Sequence, residues 1–308
     1  SYESLKYLFE KNGFKIFKVE ERALPKTKEW SIFNKLELCI KDWEECINYS
    51  KKNKLNIISD VYGDKSFEIA QKNKVDGFKI HSEDFLNTFF IEKVIKKNKP
   101  VLISTGGTHR AELYDLIQWL YKRNKINNKI FLVPGVQTFP TPLEAHYVEE
   151  LIDIKNKYSK FGVRLGYADH IAGDHIAAEI FPFMALAAGA EFVEKHFTDI
   201  RKFKRTDYHS ALDKKRLKNF IIKLNYLTPT LKRQLGFNSF QKKYRKMFKK
   251  TVVINSSRKK NSIIKKDQIK FVKNTKNQSN LSSHFLVGKK LINNVEKGNL
   301  ISLKNIKQ

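Results

Sequence analysis

Apolar positions in the first two thirds of the chain fall into two alternating textures. Short runs rich in β-branched and aromatic residues, LNIISDVY (55–62), GFKIH (77–81), VLIST (101–105), IFLVPGV (130–136), VRLGYADH (163–170) and AEFVEKHF (190–197), read as buried strands. Between them lie segments with apolar residues at helical spacing, such as KSFEIAQKN (65–73), HRAELYDLIQWLYKRN (109–124) and EAHYVEELIDIKNKYS (144–159). Strand-then-helix repetition predicts parallel strands joined by crossover helices, an α/β fold. About six such strands fit an incomplete TIM (β/α)8-type barrel, and an open doubly wound sheet competes with it. Gly106–Gly107–Thr108 is too short for a dinucleotide-binding glycine fingerprint.

The texture changes after Leu227. LTPTLKRQLGFNSFQKKYRKMFKK reads as a linker with a basic helical segment, and KTVVINSSRKK, IIKKDQIKFVKN, FLVGKKL and NLISLKNI as short strands broken by Gly, Asn and Lys. The expected division is a barrel domain over 1–226, a linker over 227–246 and a small β-rich domain over 247–308.

Composition narrows the class. With 41% hydrophobic residues in 308, the chain can build an ordinary core. No run reaches the roughly 18 apolar residues of a membrane span; the segment from Ile180 to Ala190 is helix-length and contains Pro182. The opening SYESLKYLFEKN lacks the basic head and apolar middle of a secretory signal. Cys39 and Cys46 lie about two turns apart on a predicted helix, too far for a disulfide, which fits a reducing, cytoplasmic setting. The net charge of +28 invites a nucleic-acid or polyanion reading. Lysine is nevertheless spread along the whole chain, and no RNP, zinc-finger or helix-turn-helix pattern accompanies it, so no specific nucleic-acid partner is expected.

In a parallel barrel, catalytic side chains come from the carboxyl ends of the strands. Polar residues concentrate there: Lys79, His81 and Ser82, then Ser104 and Thr105, Gln137, His170 and His196. Alternation places Arg164, Gly166 and Ala168 on the same face as His170, and Glu194 on the face of His196. Each histidine alone reads as a hydrogen-bonded member of a polar rim. Two on neighbouring strand ends, beside Asp169 and Glu194 that could orient an imidazole, point to a divalent metal, with Mn, Co, Fe or Zn suiting them better than Ca.

These residues carry a resemblance. KIHSEDFLN, VLISTGGT, VQTFPTPLEAH, GYADHIAGD, GAEFVEKHFTD and RTDYHSAL together resemble the sialic acid synthase family, which includes the N-acetylneuraminate, legionaminate and pseudaminate synthases. KTVVINSSRKKNSIIKKDQIKF and HFLVGKKLINNVEKGNLISLKNI resemble the family's C-terminal antifreeze-like (SAF) domain. The resemblance implies condensation of phosphoenolpyruvate with an N-acetylated amino sugar to a nine-carbon 2-keto acid and phosphate. It implies His170 and His196 as ligands of a divalent ion, Mn²⁺ foremost, with Mg²⁺ or Co²⁺ as alternatives. Lys79, Ser82, Ser104 and Gln137 would bind phosphoenolpyruvate, Phe139 and Asp207 the sugar, and the chain would form a homodimer.

The match has departures. Ala168 stands where the family often has serine, and Gln137 and Phe139 where asparagine and tyrosine occur. Asn274 lies near the position of an arginine that reaches the sugar's acyl group, with Lys273 or Lys276 as substitutes of poorer geometry. Nothing before Leu55 resembles the family's first two strands, so the general-base glutamate is expected upstream of Ser1 and the chain alone is expected to be inactive. A carbohydrate-binding homologue without turnover and a basic polyanion binder are the rival readings.

Overall fold

The computed structural model describes residues 24–204, 207–231, 236–273 and 281–307. It divides into two compact units, Ser1–Lys232 and Arg233–Gln308.

The first unit is built on parallel strands. Two helices, α1 (Lys28–Asn34) and α2 (Ile40–Lys52), precede it, α1 capped by the Thr27 hydroxyl accepting from the Trp30 amide. Cys39 is exposed and Cys46 is buried on α2, and both are free thiols. The strands are β1 (Ile58–Val61), β2 (Gly77–Ile80), β3 (Val101–Ser104), β4 (Ile130–Val133), β5 (Arg164–Leu165), β6 (Tyr167–Asp169) and β7 (Val193–Lys195). Helices α3 (Asp64–Lys72), α4 (Thr88–Ile95), α5 (Arg110–Lys122), α6 (Val148–Tyr158) and α7 (Ala177–Ala188) form the crossovers, and α8 (Lys214–Leu231) follows β7. β1 to β5 pair in sequence order and β6 pairs with β7, all parallel.

All six expected strands are present, but VRLGYADH is broken at Gly166. A Cβ at Gly166 would lie 2.2 Å from the Phe192 ring, so the strand bends where an aromatic presses on bare backbone. Pairing survives the bend: the Gly166 amide donates to the Leu132 carbonyl at 2.8 Å and the Ala168 amide to that of Pro134 at 3.0 Å. The ladder therefore runs from β1 to β7. It also curls, because Lys79 on β2 meets Glu194 on β7 at 2.7 Å. A flat, open sheet would hold those strands far apart, so the curl decides for the barrel-type arrangement over the doubly wound one.

Alternation sorts the strand residues into two environments. Val101, Ile103, Ile130 and Leu132 face outward into a large cluster with Phe67, Ile91, Leu116 and Leu120 from the helices. Leu102, Phe131, Val133 and Ala168 face inward and, with Phe192, form a much smaller cluster. Arg164 closes the amino end of that interior, its guanidinium 4.3 Å from the centre of the Phe131 ring. Beyond the apolar plug, the inward positions near the carboxyl ends become polar.

The second unit has its own core of Val252, Ile254, Ile264, Leu286, Leu291, Val295, Ile301 and Ile306. It contains α9 (Ser239–Phe248), antiparallel β8 (Lys250–Ile254) and β9 (Ile269–Lys273), and the one-turn α10 (Ser283–Leu286). Isolated bridges, such as Arg258 to Val295 and Leu291 to Ile306, complete its β-rich character. The expected linker over 227–246 is largely helical where described: α8 continues to Leu231, and α9 starts at a capping box in which Asn238 and Gln241 satisfy each other's amides. Lys273 lies 5.5 Å above the Phe248 ring, whereas Asn274 and Lys276 fall outside the described residues.

A Cβ at Gly135 would lie 2.4 Å from the Ala168 carbonyl oxygen, a backbone atom that cannot swing aside. Gly135→Ala should therefore destabilise the first unit by about 1–3 kcal/mol, read as a lower urea midpoint; an unchanged midpoint would show that β6 yields freely there.

Candidate active site

One cavity of about 340 Å³ opens at the carboxyl ends of the strands, lined by residues that include Asp60, Lys79, Ser82, Gln137, Phe139, His170, Glu194, His196 and Asp207. That volume suits a small ligand. Of the eight residues singled out in the sequence, only Ser104 does not line it. Ser104 ends β3 fully buried, and its hydroxyl has no hydrogen-bond partner among the described residues.

The two imidazoles face each other with ring centroids 5.2 Å apart. His170 is held at several points: its Nδ1 lies 2.8 Å from the Val136 carbonyl, and its own carbonyl accepts from the Thr141 amide and the Ser210 hydroxyl. A donated Nδ1–H leaves Nε2 bare, the tautomer a metal ligand needs. Burial lowers the His170 pKa, and burial with the neighbouring His170 pushes His196 down to about 4, so both rings are neutral near pH 7. Among the described residues no third His, Cys, Asp or Glu completes a ready-made metal cluster. The donor set fits an ion held by two imidazoles with its other positions open to substrate or water.

The expected carboxylate partners of the histidines are corrected by the geometry. Asp169 adjoins His170 in a strand, so it faces the opposite side and pairs with Lys195 at 2.8 Å. Glu194 does face inward with His196, but its carboxylate binds Lys79. Asp207 lies beside His196, with 4.0 Å between its Oδ2 and the ring Nδ1. Phe139 packs edge-on against both imidazoles, at 4.5 and 5.6 Å between centroids.

Lys79 sits between two carboxylates, Glu194 at 2.7 Å and Asp60 at 3.5 Å. Burial alone would lower its pKa, yet Asp60 and Glu194 outweigh burial and hold it above the usual lysine range. Burial likewise opposes ionisation of Glu194, but Lys79 keeps its pKa below the ordinary value. The sequence reading missed Asp60. Its signal was a lone carboxylate within the apolar run LNIISDVY, in register with Lys79 on the next strand.

Gln137 is fixed from behind by Gly106, where a Cβ would meet the Gln137 side chain and the Gly135 carbonyl at 2.5 Å. It also lines a second cavity of about 360 Å³, walled by Gly107, Thr108, His146, Tyr147 and Tyr167. There the His146 Nδ1 and the Tyr167 hydroxyl are 2.5 Å apart, with burial lowering the pKa of His146 and raising that of Tyr167.

Comparison with known proteins settles the lineage. The NeuB family model matches residues 2–234. The chain belongs to the NeuB family. It is 30% identical over 208 residues to the uncharacterized protein MJ1065 of Methanocaldococcus jannaschii, covering 68% of this chain and 59% of that one. It is 28% identical over 184 residues to the N,N'-diacetyllegionaminic acid synthase of Campylobacter jejuni, covering 60% and 53%. The chain thus spans little more than half the length of the curated relatives it matches. Among solved structures, the spore coat polysaccharide biosynthesis protein E of Chromobacterium violaceum superposes with a TM-score of 0.71 at 14% identity, covering 100% of this chain and 94% of the other. At that identity the likeness speaks for the fold of this NeuB family member alone. No helix among the described residues is long and apolar enough to cross a membrane.

The folded His196 takes up a proton only near pH 4, whereas the unfolded chain does so near the ordinary histidine value of 6.5. Protonation therefore favours unfolding below about pH 6.5. In the presence of EDTA, urea denaturation should show wild-type protein losing roughly 2 kcal/mol more than His196→Asn between pH 7 and pH 5. A wild-type protein whose stability is flat over that window would contradict the neutral, buried imidazole.

Proposed function

We propose that this NeuB family chain carries the active site of a sialic-acid-type synthase, which condenses phosphoenolpyruvate with an N-acetylated amino sugar. The observation that carries the reading is the meeting of His170 and His196, 5.2 Å apart, in one cavity with Lys79. In this reaction carbon 3 of phosphoenolpyruvate bonds to the sugar aldehyde carbon, water adds at carbon 2, and phosphate leaves. The product is a nine-carbon 2-keto acid.

His170 and His196 would hold the divalent ion, Mn²⁺ foremost. When bound, the ion supplies Lewis acidity toward the aldehyde oxygen. Lys79 offers a fixed ammonium to the phosphate or carboxylate, with Ser82 and Gln137 as neutral donors on the same cavity wall. Ser104 fits less directly, since its buried hydroxyl serves only if substrate reaches beneath the present cavity floor. Asp207 would accept hydrogen bonds from sugar hydroxyls, and Phe139 would give the sugar an apolar face. Ala168 contributes no hydroxyl and packs instead with Leu102, Phe131 and Val133.

The lining favours a cation before an anion. Asp60, Glu83, Glu194 and Asp207 outnumber Lys79 among its described charged residues, so a phosphate-bearing substrate gains from a bound divalent ion. The small β-rich core of the second unit is compatible with an SAF-type domain, the family's route to contacts across a homodimer.

Two measurements test the proposal. Alanine at His170 or His196 should abolish Mn²⁺ binding, and calorimetry on the Mn²⁺-loaded protein should show Lys79→Met weakening phosphoenolpyruvate binding about ten- to a hundredfold. That range follows from losing a charge-assisted contact of roughly 1.5–3 kcal/mol. Retained Mn²⁺ in both alanine variants, or an unaltered phosphoenolpyruvate titration in Lys79→Met, would remove those residues from the assignment.

A further inference from the structure

We infer that Asp169 and Lys195, which face away from the cavity, are positioning residues that set the spacing and orientation of the two site histidines. Each directly precedes one of them, and the two are register partners across the β6–β7 ladder. Lys195 Nζ lies 2.8 Å from Asp169 Oδ2, with side-chain exposures of 5% and 0%. The other carboxylate oxygen, Oδ1, accepts from the Ile171 amide at 2.8 Å, fixing the chain just past His170.

Cohesion alone does not account for this pair. Removing two charges from water is costly, and a well-packed apolar pair in their place commonly holds a protein together as well or better. What an ion pair supplies that an apolar pair does not is register. The ladder is short: three register pairs, Tyr167–Val193, Ala168–Glu194 and Asp169–Lys195, preceded by the Glu191 amide donating to the Leu165 carbonyl at 2.8 Å, so few backbone bonds define its alignment. A one-residue slip of β7 would turn His196 and Glu194 out of the interior together. The ion pair sits on the last rung, next to the histidines, where it opposes that slip most directly.

The two histidines also differ in their other anchors. His170 is held through its ring, its carbonyl and the following amide. The His196 main chain is tied by the Leu212 amide donating to its carbonyl at 2.9 Å, on the far side from β6. Lys195 is therefore the side-chain tie nearest His196 that joins β7 to β6, beside the Arg164–Glu191 pair just before β7 and the Lys79–Glu194 contact across the interior. Along this line the pair acts on any ion through the imidazoles and touches neither ion nor substrate.

The inference rests on the proposed function only where the ion is concerned, and its test separates the two. The variants are Lys195→Met, Lys195→Arg and the double variant Asp169→Leu/Lys195→Met, which removes both charges and so avoids stranding one. Mn²⁺ affinity is read by electron paramagnetic resonance, folding by circular dichroism, and imidazole separation by crystallography of metal-free protein. Lys195→Met should bind Mn²⁺ about ten- to a hundredfold more weakly, and Lys195→Arg within about threefold of wild type. The double variant should fold yet remain weak, with the 5.2 Å separation of the rings altered by about 1 Å or more. A folded double variant with wild-type Mn²⁺ affinity, or with the ring separation unchanged, would overturn the inference. If wild-type protein binds no Mn²⁺, the metal reading fails, and the metal-free ring separations still decide the role of the pair.

Discussion

Lys79 and Glu194 lie 115 positions apart in sequence and meet at 2.7 Å inside the sheet. The rest of the site depends on that contact. It joins β2 to β7, so the cavity between them has a definite width, and it determines which side chains reach the same space. Its value is geometric more than energetic. A buried ion pair recovers little net stability, but loss of one partner leaves an uncompensated charge, and the arrangement resists alternatives for that reason. Asp60 reinforces it from the neighbouring strand.

How much of this was legible in sequence follows from which signals are local. The six apolar runs were legible because strands buried on both faces are continuous in hydrophobicity. The grouping of Lys79, Ser82, Gln137, His170 and His196 was legible because parallel strands deliver their carboxyl ends to one side, whereas Phe139 and Asp207 were marked only by the family resemblance. The bend at Gly166 was hidden, since it depends on Phe192, a residue on another strand. The orientation of Asp169 was legible in principle: alternation alone turns it away from His170. Its partner was not, because pairing with Lys195 depends on β6–β7 register. The basic helical segment expected within 227–250 is present as α9, and its start is set by the Asn238–Gln241 box.

Overall charge and local charge point in opposite directions. The chain carries a formal +28, yet the described charged groups lining its main cavity are mostly carboxylates. Dispersed lysines set the long-range field, which salt screens over about 10 Å. Within the cavity, short contacts decide affinity. An anionic substrate would be drawn toward such a molecule by the field and retained by a few fixed groups.

Gln137 belongs to the walls of two chambers, one holding the paired imidazoles and the other floored by Gly107, Thr108 and Tyr167. A side chain shared in this way couples the two spaces. A Cβ at Gly106 would collide with the Gln137 side chain, so the glycine leaves that side chain the room to stand there. A change at Gln137 would therefore alter the walls of both chambers at once, while the histidines, the lysine and the sheet stay as they are.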